Sequence, residues 1–157
     1  MTKVTLITGG SRGIGAATAR LSAAEGHAVA INYCSDATAA EKVRADVEKV
    51  GAKAMVVQAD TGVERDIMHM FEEVDRNLGT VTGLVNNAGI HGPRGRLDAL
   101  SAGDIDRVLE VNVRGCFLCA REAIKRMSTK HGGAGGSIVN VSSGSARLGN
   151  PNDGVLY

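Results

Sequence analysis

Tryptophan is absent from this 157-residue sequence, and only Tyr33, Phe71, Phe117 and Tyr157 are aromatic. A core with so few rings is built from Val, Ile, Leu, Ala and Met. A dominant charge is also missing. The 18 Lys and Arg nearly balance the 17 Asp and Glu, for a net +1, so there is no electrostatic footprint of a nucleic-acid or membrane-surface partner. No run of about 18 apolar residues occurs, and no membrane span is expected. The first residues pass straight into an apolar run without a signal-peptide n-region or h-region, so no secretory signal is expected. Cys34, Cys116 and Cys119 do not make a disulfide framework, which makes a reducing cytoplasm the expected location. What is abundant is glycine, at 21 residues, most of it punctuating apolar segments. The length is that of one domain on a scale of ~150 residues per domain, enough to bury a core without staples.

Five short apolar runs, at residues 4–8, 28–31, 54–57, 83–86 and 137–141, read as strands. Near-continuous apolar strands are buried on both faces, as in a parallel sheet. Helical patterns lie between them. The first places Ile14, Ala17, Leu21 and Ala24 on one face and stops at Gly26. The second carries Val43, Val47 and Val50 before Gly51. The third carries Ile67, Met70, Phe71, Val74 and Leu78 before Gly79. A long fourth helix covers roughly residues 101–127, and a glycine-rich turn at 132–136 leads into the fifth strand. Strands alternating with helices imply βαβ units, right-handed crossovers and a doubly wound α/β (Rossmann) sheet.

The first strand runs into Thr8-Gly9-Gly10-Ser11-Arg12-Gly13-Ile14-Gly15, which opens the first helix. Glycines let backbone approach a ligand, and a helix N-terminus offers free N–H groups and the positive end of its dipole. Together these suit a pyrophosphate. The plainer reading is a tight strand–helix turn, but the strand–loop–helix context favours binding. The Gly-Lys-Ser/Thr of a P-loop is absent, which argues against a nucleoside triphosphatase.

The spacing Thr-Gly-x-x-x-Gly-x-Gly resembles the short-chain dehydrogenase/reductase family. Three further segments share the resemblance in order: Asn86-Asn87-Ala88-Gly89 after the fourth strand, Asn112 in the long helix, and Asn140-Val141-Ser142-Ser143 followed by Tyr157. The likeness runs from Thr5 to Tyr157, and four ordered motifs are far more specific than one. It implies strand order 3-2-1-4-5. In such a sheet the ligand crevice lies beyond the carboxyl ends of the strands, where the order reverses. The glycine loop, Asn87, Ala88, Gly89 and the Ser142–Ser143 pair then converge on one crevice.

Cofactor choice turns on the end of the second strand. An acid there would bond a ribose 2′-hydroxyl and repel a 2′-phosphate. The sequence instead reads Asn32-Tyr33-Cys34-Ser35, with no acid before Asp36, and Arg12 supplies a cation for a 2′-phosphate. The expectation is NADP rather than NAD, held by Gly9, Ser11, Arg12, Gly13, Ile14, Gly15, Asn32, Asn87, Ala88 and Gly89. Asp60 matches the family position that contacts adenine; its bland reading is an acid near a helix N-cap.

The resemblance implies a carbonyl/alcohol oxidoreductase in which Tyr157 passes a proton to or from the substrate oxygen, Ser143 orients that oxygen, and Asn112 helps hold a relay water. Thirteen residues separate Ser143 from Tyr157, one more than the usual family spacing, which keeps Ser142 and Ser145 as alternatives. Strand alternation would point Ser142 and Ser143 to opposite faces. Independently of the family, Asn112 falls in the apolar stripe Ile105, Val108, Leu109, Cys116, Ala120, Ala123 and Met127, where an amide needs partners or an ordered water. Cys116 and Cys119 form a C-x-x-C, but mid-helix, with no second pair to complete a zinc site; they read as packing, and no metal is expected. His91 and Arg94-Gly95-Arg96 read as solvated loop residues, with His91 a minor specificity candidate.

The family also has a lysine four residues after this tyrosine and further strands and helices. The expectation is therefore that residues 1–157 are a dinucleotide-binding domain cut before its active site is complete. Family members are commonly dimers or tetramers through the long helix, so a homodimer or homotetramer is expected. The alternatives are a non-catalytic nucleotide-binding fragment and a non-redox Rossmann protein, such as a nucleotide sensor or methyltransferase, which would need no Ser143, Asn112 and Tyr157 set.

Overall fold

Leu6 and Ile7 are neighbours in the chain yet belong to different cores, because successive side chains of a strand point to opposite faces. That division organises the computed structural model, which describes residues 3–148. The strands are β1 (Val4–Ile7), β2 (Ala28–Tyr33), β3 (Ala54–Gln58), β4 (Gly83–Asn86) and β5 (Ser137–Asn140). All four pairings are parallel, and the order is β3-β2-β1-β4-β5, as expected. The central strand β1 is fully buried.

Helices α1 (Gly13–Ala24) and α2 (Ala37–Lys49) cover one face, where Ala16, Ala19, Ala23, Val43 and Val47 meet Ile7, Val29 and Ile31. Helices α3 (Glu64–Asn77) and α5 (Gly115–Met127) cover the other, where Ile67, Met70, Phe71, Cys119 and Ala123 meet Leu6, Ala30 and Leu84. Among the described residues Phe71 is the one fully buried aromatic ring, Tyr33 packs partly buried against the other core, and Phe117 is 75% exposed. Among the described residues, no helix is long and apolar enough to cross a membrane.

Three expectations fail in detail. The buried face of α1 is Gly15, Ala16, Ala19 and Ala23, whereas Ile14 and Leu21 are exposed and so are Ala17 and Ala24. Small side chains bring α1 close to the sheet; a stripe read by hydrophobic bulk selects the wrong side. Val50 is exposed because α2 ends at Lys49. The long helix is interrupted. α4 (Ala102–Leu109) runs into a π turn at Glu110–Arg114 before α5 begins, with the Gly115 N–H bonded to the Glu110 carbonyl. The wider turn rotates all that follows relative to a regular helix. Val108, Ala123 and Met127 of the expected stripe are buried, with Val111, Gly115 and Cys119 beside them, while Leu109 is exposed and Ile105, Cys116 and Ala120 are only half-buried.

Candidate functional site

The carboxyl ends of β1, β2 and β4 are tied together by two polar side chains with almost no solvent exposure, Thr8 and Asn32. The Thr8 hydroxyl accepts the N–H groups of Asn87 and Ala88, each at 3.0 Å. In return the Asn87 amide donates to the carbonyls of Thr8 (2.9 Å) and Gly9 (3.0 Å). The Asn32 carbonyl oxygen of the side chain accepts the Gly9 N–H at 3.1 Å, and its amide donates to the Ala59 carbonyl at 3.0 Å. Buried polar groups demand such partners. Asn32, expected to hold the cofactor, lines the first cleft, and its side chain also shapes the glycine loop from beneath. Thr8 opens the Thr-Gly-x-x-x-Gly-x-Gly segment, but nothing local in the sequence assigns it this clasp between the loop and β4.

The loop backbone is unusually close to its neighbours. Gly9 has φ +61°, and a Cβ there would lie 2.9 Å from the Ala88 Cα. A Cβ on Gly15 would lie 2.5 Å from the Gly9 carbonyl oxygen and 2.6 Å from the Asn87 amide nitrogen. Only glycine fits either place. Arg12 stands at the N-cap of α1 and gives no side-chain cap, so the first N–H groups of the helix are left for another acceptor. A glycine cradle beneath an uncapped helix start fits a pyrophosphate.

Two adjoining clefts open at this edge. The first, about 240 Å³, is lined by Ser11, Arg12, Tyr33, Cys34, Asp60 and Arg107 among others. The second, about 410 Å³, is lined by Ile14, His91, Asn112, Ser142 and Ser143 among others. Asn87, Ala88, Gly89 and Ile90 wall both. Ser142 and Ser143 therefore line one cleft rather than opposite faces, because β5 ends at Asn140 and strict alternation ends with it. The Ser143 hydroxyl also accepts the Ser145 N–H at 3.1 Å, at the start of α6 (Ser145–Leu148).

Asn112 lies in the π turn and grips the Ile90 backbone at both ends. Its oxygen accepts the Ile90 N–H at 2.8 Å, and its nitrogen donates to the Ile90 carbonyl at 2.9 Å. Asn86 is buried between β5 and α5, donating to the Asn140 side-chain oxygen (2.9 Å) and the Cys116 carbonyl (3.1 Å). Asp60 lies at the first cleft, paired with Arg107 at 2.7 Å. Asp36, the first acid after β2, caps α2 by accepting the Ala39 N–H at 2.9 Å. Tyr157 lies outside the described residues.

The cysteines are free, and among the described residues no group of three His, Cys, Asp or Glu could hold a metal ion. Burial, with Cys116 and Glu122 nearby, pushes the Cys119 thiol up to about 12. At pH 8 such a thiol is thiolate in about one part in ten thousand. A thiol-titrating disulfide reagent should therefore modify the exposed Cys34 in the native protein and reach Cys119 only on unfolding. Equal native rates at the two positions would contradict this burial.

The model of the short chain dehydrogenase family matches residues 3–156. The chain is 49% identical over 154 residues to the uncharacterized oxidoreductase YgfF of Escherichia coli, a match covering 98% of this chain and 62% of that protein. An NAD+-bound xylitol dehydrogenase superposes with a TM-score of 0.86 at 34% identity, covering 96% of this chain and 56% of the other. A short chain dehydrogenase from Burkholderia cenocepacia in complex with NADP superposes at 0.85 and 37%, covering 96% and 59%. The chain thus spans about three fifths of the length of the proteins it matches.

Proposed function

The chain belongs to the short-chain dehydrogenase family, and on that footing we propose that the full-length gene product is an oxidoreductase transferring a hydride between NADP(H) and a carbonyl or alcohol carbon. The observation that carries this reading is the shared wall at Asn87, Ala88, Gly89 and Ile90, with a glycine cradle on one side and Asn112, Ser142 and Ser143 on the other. A dinucleotide spanning that wall would present one end to each cleft. The nicotinamide supplies or accepts the hydride, which is the cofactor's own chemistry.

The chain's residues bind, orient and move the proton. N–H groups at Gly13, Ile14 and Gly15 hold the pyrophosphate. Arg12 pairs with the 2′-phosphate, Ser11 and Gly9 complete that side of the cradle, and Asp60 accepts from the adenine amino group. Ser143 donates to the substrate oxygen, Asn112 holds a relay water, and Tyr157 gives the oxygen its proton in reduction and removes it in oxidation. Candidate substrates are 3-oxoacyl thioesters, sugars and steroids.

NADP is favoured over NAD because Arg12 lines the first cleft with the β2 end, where no acid stands before Asp36. Arg12→Ala should weaken NADPH binding roughly tenfold to a hundredfold, the range for hydrogen bonds to a charged group, and leave NADH nearly unchanged. Equal losses for the two cofactors in a fluorescence titration would contradict the assignment. Leu109, Val113, Phe117 and Ile124 form an exposed stripe on the α4–α5 segment. It fits a second copy of the chain, giving a homodimer or homotetramer, and the free cysteines fit a cytoplasmic setting.

A further inference from the structure

We infer that Arg107 is a positioning residue for the nucleotide, holding the Asp60 carboxylate in the orientation that accepts a purine amino group; this rests on the nucleotide reading above. Both residues line the first cleft. One Asp60 oxygen accepts Arg107 Nη2 at 2.7 Å, and the other accepts the Gly62 N–H at 2.8 Å. A planar group bonded at both oxygens cannot swing. A carboxylate offers about four lone-pair sites, so each oxygen keeps capacity for one more donor. The carboxylate is therefore an acceptor of fixed direction, which welcomes an amino group and opposes the oxygen of an oxo-purine.

Arg107 reaches Asp60 from α4, 47 positions along the chain. Gly62 leaves the room it needs, since a Cβ there would lie 2.5 Å from Arg107 Nη1. The loop after β3 is held at a second point by Arg114, which donates to the Gly62 carbonyl. The side chains of Arg107 and Asp60 are 42% and 25% exposed, and a pair so open to water adds little to stability. Its consequence is the aim of the carboxylate. Lysine would keep the charge without the rigid planar fork.

The test measures dissociation constants for NADPH and for its hypoxanthine analogue, in which an oxo group replaces the adenine amino group, on the full-length gene product and on R107A and R107K. The native protein should prefer NADPH. R107A should weaken NADPH by about tenfold, the scale of one charge-assisted hydrogen bond, shift the analogue by less than about twofold, and so remove the preference. R107K should restore part of it. If R107A fails to fold, the R107K comparison decides alone, and unchanged preference in it overturns the inference. Equal weakening of both ligands, or an unchanged NADPH constant, overturns it too. A native protein that binds NADPH without preference refutes the Arg107 role alone; one that binds neither ligand refutes the nucleotide reading with it.

Discussion

Gly15→Ala is expected to lower NADPH affinity by more than about a hundredfold and to destabilise the protein, although it installs the best helix former. The two effects oppose each other. Within a helix, alanine is favoured over glycine by up to ~1 kcal/mol. The added Cβ, however, would meet the Gly9 carbonyl oxygen at 2.5 Å, the Asn87 amide nitrogen at 2.6 Å and the Gly10 Cα at 3.0 Å. None of these is the free end of a flexible side chain. Asn87 is fixed by the carbonyls of Thr8 and Gly9, and Gly9 by Asn32. Overpacking of this kind costs about 1–3 kcal/mol, so the clash wins. Stability should fall by up to ~2 kcal/mol, or a few degrees in Tm. The loss of affinity is larger because the displaced backbone is the cradle itself, and each hydrogen bond lost from a charged phosphate costs about 1.5–3 kcal/mol, so losing two exceeds roughly a hundredfold. Gly103→Ala supplies the control. That Cβ would meet nothing nearer than the Ser101 hydroxyl at 3.8 Å, and α4 should gain the helix-propensity term. Thermal unfolding beside an NADPH titration reads both changes. Unchanged affinity in Gly15→Ala would show that the loop does not hold the cofactor.

Tyr157→Phe in the full-length gene product is expected to cut turnover by about 10²–10⁴, the usual worth of a positioned general acid or base, while leaving the NADPH dissociation constant unchanged. The substitution keeps the ring and removes only the hydroxyl to which the proposed mechanism assigns the proton. A phenol with pKa near ~10 is about one part in a thousand phenolate at pH 7. Oxidation through Tyr157 therefore needs a cation to stabilise the phenolate, the role the family gives to a lysine four residues later. Turnover that survives the change would remove Tyr157 from the mechanism; a parallel loss of NADPH binding would mean that it acts on the cofactor instead.

The two substitutions also mark what the sequence makes readable. The strands were legible because their apolar runs are bounded by glycine and polar residues, and the order β3-β2-β1-β4-β5 followed from the family likeness together with the general rules for βαβ sheets. The gathering of the glycine loop, Asn87–Gly89 and Ser143 at one edge followed from that order. Side-chain facing was less legible. α1 buries alanines and leaves Ile14 and Leu21 outward, because close approach to the sheet outweighed hydrophobic bulk. The π turn at Glu110–Arg114 carries no glycine or proline to announce it, and beyond it Cys119 rather than Cys116 enters the core. Contacts that join distant segments left no local trace. Thr8 reaches Asn87 across 79 positions and Arg107 reaches Asp60 across 47, and no periodicity records such a pair.

The central claim is that the twin clefts hold a nicotinamide dinucleotide. It is tested most directly by a fluorescence titration of the full-length gene product with NADPH, run beside a calorimetric titration with S-adenosylmethionine. Saturable binding of NADPH and none of S-adenosylmethionine is the predicted result. Saturable S-adenosylmethionine binding with no response to NADPH would contradict the account and make the fold the scaffold of a non-redox protein.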